Sequence, residues 1–246
     1  MTPFAEAGFE LLRGAVPPER VAAMRAVAER DLAADRGPIE READVGYPGA
    51  PASLDAPGGR TVRRLLRAYD RDEVFRTHVH DPALVARIGE ALGEAPVRFS
   101  PAHHNCVMTK QPTHSSDTGW HRDIRYWSFE RPELVTTWLA LTVETSERGS
   151  LRVVPGSHRL DLPSERFDDA SFLDPEHPEN QALLEASVGI ELAPGDLLLF
   201  HARLLHHATR NHTPHPKLAA VFTFFGASNA PMPGTRSASL APIAVP

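Results

Sequence analysis

The 246-residue sequence predicts a mainly β, single-domain fold with its helices confined to the first third. Three observations predict it. From Pro96 to Gly226, short stretches rich in β-branched and aromatic residues alternate with Gly, Pro and Asp turns, the pattern of a sandwich or barrel. Before Pro96 the apolar spacing is helical. A content of 41% hydrophobic and 24% charged residues suits a chain with a sizeable core.

In chain order, Pro17-Pro18-Glu19 marks a helix start, because proline is tolerated in a first turn and an acid suits the N-terminal dipole. Val21, Met24, Val27 and Ala28 then form an apolar stripe to about Leu32. A second helix is predicted from Asp81-Pro82 through ALVARIGEALG, closed by Gly93. Between them, residues 37–59 are rich in Pro, Gly and Ala without periodicity, which predicts a surface loop or a lid over a site. Residues 1–95 thus read as a mostly helical flank, and 96–226 as the β core. The strand candidates are VRFS, HHNCVMTK, LVTTWLALTVE, SLRVVPGS, SVGIELAPGD, LLLFHARLLHHA and KLAAVFTFFG. A polar insert at 160–185 reads as a loop with a helical end. The tail, 227–246, is small and proline-rich and is expected to be a loose strap or disordered.

Composition narrows the function. No apolar run approaches the roughly 20 residues of a membrane helix, and MTPFAEAGFELL lacks the basic head and apolar run of a signal peptide. A single cysteine, Cys106, predicts a reducing, cytoplasmic setting. A net charge of −6 argues against general nucleic-acid binding. Of 26 basic residues only Lys110 and Lys217 are lysines, which makes each of them informative.

The chain has 13 histidines. His78, His80, His114, His177, His212 and His215 fall in loops or helix ends and are expected to be solvated or locally bonded. His121 and Asp123 stand apart. In an extended strand, residues i and i+2 share a face, so the two side chains can converge on one ion. The third ligand must come from a distant strand, with His201, His206 and His207 as candidates. Neighbours face opposite ways, so His206 and His207 cannot both point inward. Two histidines and a carboxylate form the facial triad of non-haem Fe(II) oxygenases, which leaves positions open for a bidentate co-substrate and O2. A buried dicarboxylate co-substrate such as 2-oxoglutarate also needs a cation. Reading His206 to Lys217 as a hairpin through NHTPHP places Lys217 opposite residue 206.

The stretches WHRDIRYW, TTWLALTVETSERGSLRVVPGSHR and APGDLLLFHARLLHHATRN resemble the phytanoyl-CoA dioxygenase family, over about residues 95–226 and more weakly in the N-terminal helices. The resemblance implies a double-stranded β-helix (jelly roll, cupin-like) with N-terminal helices on one sheet. It also implies Fe(II)- and 2-oxoglutarate-dependent hydroxylation that consumes O2 and releases succinate and CO2. His121, Asp123 and His206 fall on the iron ligands and Lys217 on the group that grips the far carboxylate of 2-oxoglutarate. Trp138 falls on a tryptophan bordering the cofactor, and His104, Cys106 and Met108 on a strand face turned to the site. Met108 is assigned to the co-substrate side, and His104, Arg125 and Trp127 to the substrate side. Gly156-Ser157-His158 matches a structural turn. Two positions depart from the family: Lys217 stands where arginine is usual, and Ala208 where serine or threonine is common. They motivate a second reading, an iron oxygenase that does not use 2-oxoglutarate. A third is a cupin-like metal-binding or sensor module without turnover.

Overall fold

The computed structural model describes residues 3–246. Its helices are α1 (Pro3–Ala7), α2 (Pro18–Ala33), α3 (Ala68–Arg71), α4 (Glu73–Val79), α5 (Pro82–Leu92) and α6 (Pro178–Glu185). Its first strands are β1 (Phe9–Leu12), β2 (Ile39–Arg41), β3 (Val62–Leu66), β4 (Val97–Phe99), β5 (Asn105–Lys110), β6 (Thr118–His121) and β7 (Leu134–Ala140). After them come β8 (Leu151–Val153), β9 (Val188–Ile190), β10 (Leu197–His201), β11 (His206–Ala208), β12 (Lys217–Gly226) and β13 (Ile243–Ala244).

The strands form two antiparallel sheets. The larger runs β1-β10-β7-β12-β5-β3-β2, with β4 on β12 and β13 on β4; the smaller runs β6-β11-β8-β9. Strand alternation gives the larger sheet two apolar faces. Leu139, Leu197, Leu199, Ala220, Phe222 and Phe224 turn outward and pack with Met24 and Ala28 of α2, Phe75 of α4 and Ile88 of α5. Their alternates, Trp138, Ala140, Leu198, Phe200, Ala219 and Val221, turn inward and pack with Leu151, Val153 and Ile190 of the smaller sheet. The N-terminal helices therefore cover one sheet, as expected. The α5 boundaries follow from chemistry: the Asp81 side chain accepts hydrogen bonds from the amides of Ala83 and Leu84, and Gly93 ends the helix in the left-handed region at φ 66°.

Among the described residues, the segment 1–95 carries three strands beside its five helices: β1 adds to β10, and β2 and β3 extend the larger sheet beyond β5. Three expectations are corrected. The tail is neither loose nor disordered, because β13 pairs with β4 and Ser237 is buried, bonded to His103 and to the amide of Ser128. His78 is fully buried beside Phe222, with burial lowering its imidazole to about 4, so it is no solvated histidine. Finally, β11 and β12 are not a hairpin. β11 pairs with β6 and β8, whereas β12 pairs with β4, β5 and β7. Between them Pro214 and Pro216 cannot donate to a ladder, and the Asn211 side chain ties the loop by donating to Lys110 O and His215 O. The chain thereby crosses from one sheet to the other, and Lys217 comes to lie opposite Lys110.

Candidate metal centre

β6 ends at His121. Asp123 is not in the strand; it opens a short 3-10 turn, Asp123–Tyr126, after an extended Arg122. That single extended residue still aims both side chains inward. β11 places His206 directly opposite His121, and their rings lie 4.1 Å apart. The ligand atoms of His121, Asp123 and His206 all fall within 4.8 Å of one another, a group able to hold a metal ion. Asp123 Oδ1 lies 3.8 Å from His121 Nε2 and 3.7 Å from His206 Nε2.

The surroundings fix these donors. His121 Nδ1 donates to Gly119 O at 2.8 Å and His206 Nδ1 to Leu204 O at 3.0 Å. A carbonyl only accepts, so each Nδ1 carries the proton and each Nε2 presents a lone pair to the shared point. Burial lowers both imidazoles, keeping them neutral as ligands must be. Thr136 Oγ1 donates to Asp123 Oδ2 at 3.0 Å, which leaves Oδ1 free to face the imidazoles. Burial opposes the Asp123 charge, but His104 and His206 outweigh it and lower its pKa. His104 Nε2 lies 3.1 Å from Oδ1; against the pull of burial, the carboxylate raises His104 to about 9.

The remaining histidine candidates point elsewhere. The His207 ring packs against Trp120 at 4.2 Å, and His201 packs between Phe4 and His158. Sequence parity left this choice open; the pairing of His206 with His121 resolves it.

The three donors line a cavity of about 370 Å³, large enough for a small-molecule site. Its larger-sheet wall is built from cross-strand rows. Thr136 faces Thr223 beside the donors; Trp138 faces Val221, then Cys106 and Leu66; Ala140 faces Ala219, then Met108 and Arg64; Lys217 faces Lys110. His104, Met108, Trp138 and Lys217 all line it, as do Arg125 and Trp127 at the other end. Trp127 is buried against His103 and His104. Arg125 lies 4.4 Å from the Tyr126 ring centre and 4.0 Å from that of Phe172, donating to Ser171 O.

Several lining groups had escaped the sequence reading. Arg64 and Leu66 come from β3, where the alternation Val62, Arg64, Leu66 was the available signal. Tyr47 of the 37–59 loop lines the cavity and meets Phe172 of the polar insert edge to face at 5.2 Å. Gly119 permits that approach, since a Cβ there would lie 2.9 Å from the Phe172 ring. Arg236 of the tail also reaches the lining.

A model of the phytanoyl-CoA dioxygenase family matches residues 4–219. The chain belongs to the phytanoyl-CoA dioxygenase family. Within known members of similar sequence, it is 29% identical to the ectoine dioxygenase of Halomonas elongata over 194 residues, 72% of this chain and 57% of that protein. It is 27% identical to the L-proline trans-4-hydroxylase of Streptomyces griseoviridis over 198 residues, 71% of each. The chain spans 57% and 64% of the lengths of two ectoine dioxygenases it matches. In fold it resembles the epimerase SnoN from nogalamycin biosynthesis, with a TM-score of 0.74 at 24% identity, covering 94% of this chain and 83% of that one. It also resembles EctD from S. alaskensis with bound Fe, with a TM-score of 0.77 at 22% identity, covering 99% and 85%. Among the described residues, no helix is long and apolar enough to cross a membrane.

Proposed function

We propose that this family member is an Fe(II)- and 2-oxoglutarate-dependent dioxygenase that hydroxylates a small molecule, with release of succinate and CO2. One observation carries the reading: two imidazole Nε2 atoms and one carboxylate oxygen converge inside a cavity whose far end holds buried ammonium groups. The donor set suits Fe(II), being two nitrogens and one oxygen with room for further ligands. His121, Asp123 and His206 hold the iron, Trp138 and Met108 wall the co-substrate, and Lys217 meets its far carboxylate. Bound Fe(II), 2-oxoglutarate and O2 supply an oxidant strong enough for an unactivated C–H bond, which no side chain provides.

The protein supplies position and shielding. Thr136 orients the carboxylate, and Gly119 O and Leu204 O orient the imidazoles. Tyr47, Phe172 and Arg125 close one side, so that residues 37–59 act as a lid. His104, Arg125 and Trp127 face the substrate. Relatives named for ectoine and L-proline support a small-molecule substrate. The two facing antiparallel sheets fit a double-stranded β-helix of cupin type, forming one domain over 1–246 that works in the cytoplasm.

Adding 2-oxoglutarate to anaerobic Fe(II)-loaded protein tests the proposal. A visible charge-transfer band should appear, and oxygen with a substrate panel should release succinate. Absence of both overturns the assignment.

A further inference from the structure

The sequence holds two lysines, and the fold sets them directly opposite each other across β5 and β12, inside the barrel. Lys217 is 1% exposed and Lys110 6%. Burial disfavours the charge of both, and repulsion from Arg63 and Lys217 lowers Lys110 further, so Lys217 keeps its proton best with an anion nearby. The chain supplies one. Glu144, 1% exposed, puts Oε2 3.4 Å from Lys217 Nζ, while its Oε1 accepts from Trp138 Nε1 at 2.9 Å. Lys217 also donates to Gly149 O at 2.5 Å and sits 5.1 Å from the Trp138 ring centre. The ammonium assigned to the co-substrate's far carboxylate thus already has a carboxylate of its own, and Glu144 Oε2 has no hydrogen bond.

The groups facing this pair come from every wall. Lys217 belongs to β12, Trp138 to β7 and Lys110 to β5; Lys110 donates to Ser116 O and lies 3.4 Å from Ala208 O. Arg63 of β3 lies beyond, 3.5 Å from the buried Glu42. A second carboxylate arriving at Lys217 leaves two anions on one ammonium, and two carboxylates sharing a site cannot both stay ionised cheaply.

Resting on the co-substrate reading above, we propose that Glu144 is a specificity-determining residue: it takes up one proton from solvent when the far carboxylate of 2-oxoglutarate reaches Lys217. A 2-oxo diacid then binds together with a proton, whereas a 2-oxo monoacid binds without one. Burial already raises Glu144 above the ordinary carboxylate range, with Lys217 opposing, so the group is poised in the required direction. The sign follows from linkage. Between the Glu144 pKa of the free protein and the higher one of the complex, 2-oxoglutarate affinity falls about tenfold per pH unit, and it is flat on either side.

Calorimetry on anaerobic Fe(II)-loaded protein, in buffers of unlike ionisation enthalpy, counts the protons. About one proton should be taken up with 2-oxoglutarate and none with 2-oxovalerate, which keeps the chelating head and replaces the far carboxylate by a methyl. Glu144→Gln should abolish the uptake and flatten the pH slope for 2-oxoglutarate. The wild-type comparison of the two acids stands even if that variant fails to fold. Uptake that persists in Glu144→Gln assigns the proton to another group and overturns the inference. So does wild-type 2-oxoglutarate binding without uptake. Failure of both acids to bind overturns the co-substrate reading itself, and the role of Glu144 with it.

Discussion

At one end of the cavity a buried carboxylate, Asp123, faces three imidazoles; three cross-strand rows away another, Glu144, faces an ammonium. Both acids accept one hydrogen bond from β7, from Thr136 and Trp138 respectively. Their neighbours differ in kind. Two of Asp123's imidazoles are held neutral with lone pairs turned to one point, while His104, raised to about 9, offsets the carboxylate from its other side. Around Glu144 stand Lys217 and Lys110, the latter drawn well down by burial, with Arg63 behind Lys110 between Glu42 and Glu40, so that end presents amino groups where the other presents imidazole lone pairs. The two ends of the cavity thus differ in donor chemistry, as a metal chelator with a distal anionic tail requires.

The harshest way to break this comparison is to remove the cation-seeking end. Asp123→Ala, His121→Ala or His206→Ala should drop retained iron to background and abolish succinate release while far-UV circular dichroism stays unchanged. His207→Ala should keep its iron, because His207 faces Trp120. The reverse result for the two neighbours would place β11 in the wrong register.

The anion-seeking end should respond differently. Lys217→Met leaves Glu144 buried without its counter-ion, which costs about 3–5 kcal/mol in urea unfolding. Adding Glu144→Gln to it should recover most of that loss, whereas the 2-oxoglutarate requirement stays raised. Iron affinity should change little in either variant. A fall in iron retention as large as that of Asp123→Ala would show that the two ends are not separable.

Smaller again is Thr136→Val, which keeps the side-chain shape and deletes the donor to Asp123 Oδ2. Iron affinity should fall about 10- to 100-fold, as for other groups that orient a ligand. Competition with a calibrated chelator measures it, and an unchanged affinity would make Thr136 a packing residue alone.

How far these ends could be read from sequence differs in the same way. The convergence of donors at the metal end was largely legible: His-x-Asp is a local pattern, and the family resemblance singled out His206 as the residue that joins it. The helix over α2 and the Asp81-to-Gly93 helix were legible from caps and apolar spacing for the same reason. At the lysine end, Lys217 was placed in the cavity through the wrong pairing. Lys217 enters the cavity opposite Lys110, not His206, because a loop rich in proline and braced by Asn211 switches sheets. Glu144 was invisible, since a lone acid after the apolar run TTWLALTV looks like a strand end at the surface. Its burial depends on an isolated bridge to Leu192, a contact across 48 residues. Arg64 and Tyr47 were missed likewise, because a strand and a loop of the N-terminal flank are recruited to the core only by tertiary pairing.

The subtlest test sits between the two ends. Trp138 borders the cavity and donates its indole N–H to Glu144 Oε1. Trp138→Phe retains an aromatic face for Lys217 and removes that donor, so the ionised form of Glu144 loses a hydrogen bond. A bond to a charged group contributes about 1.5–3 kcal/mol, and part of it survives as altered solvation, so the Glu144 pKa should rise by about one unit. The pH window over which 2-oxoglutarate affinity falls should then move upward by about the same amount, with its slope unchanged. Iron retention should not move, because the indole makes no bond to His121, Asp123 or His206. If instead the window stays where it is in the wild type, Glu144 is not the group that titrates, and the proton goes to another residue.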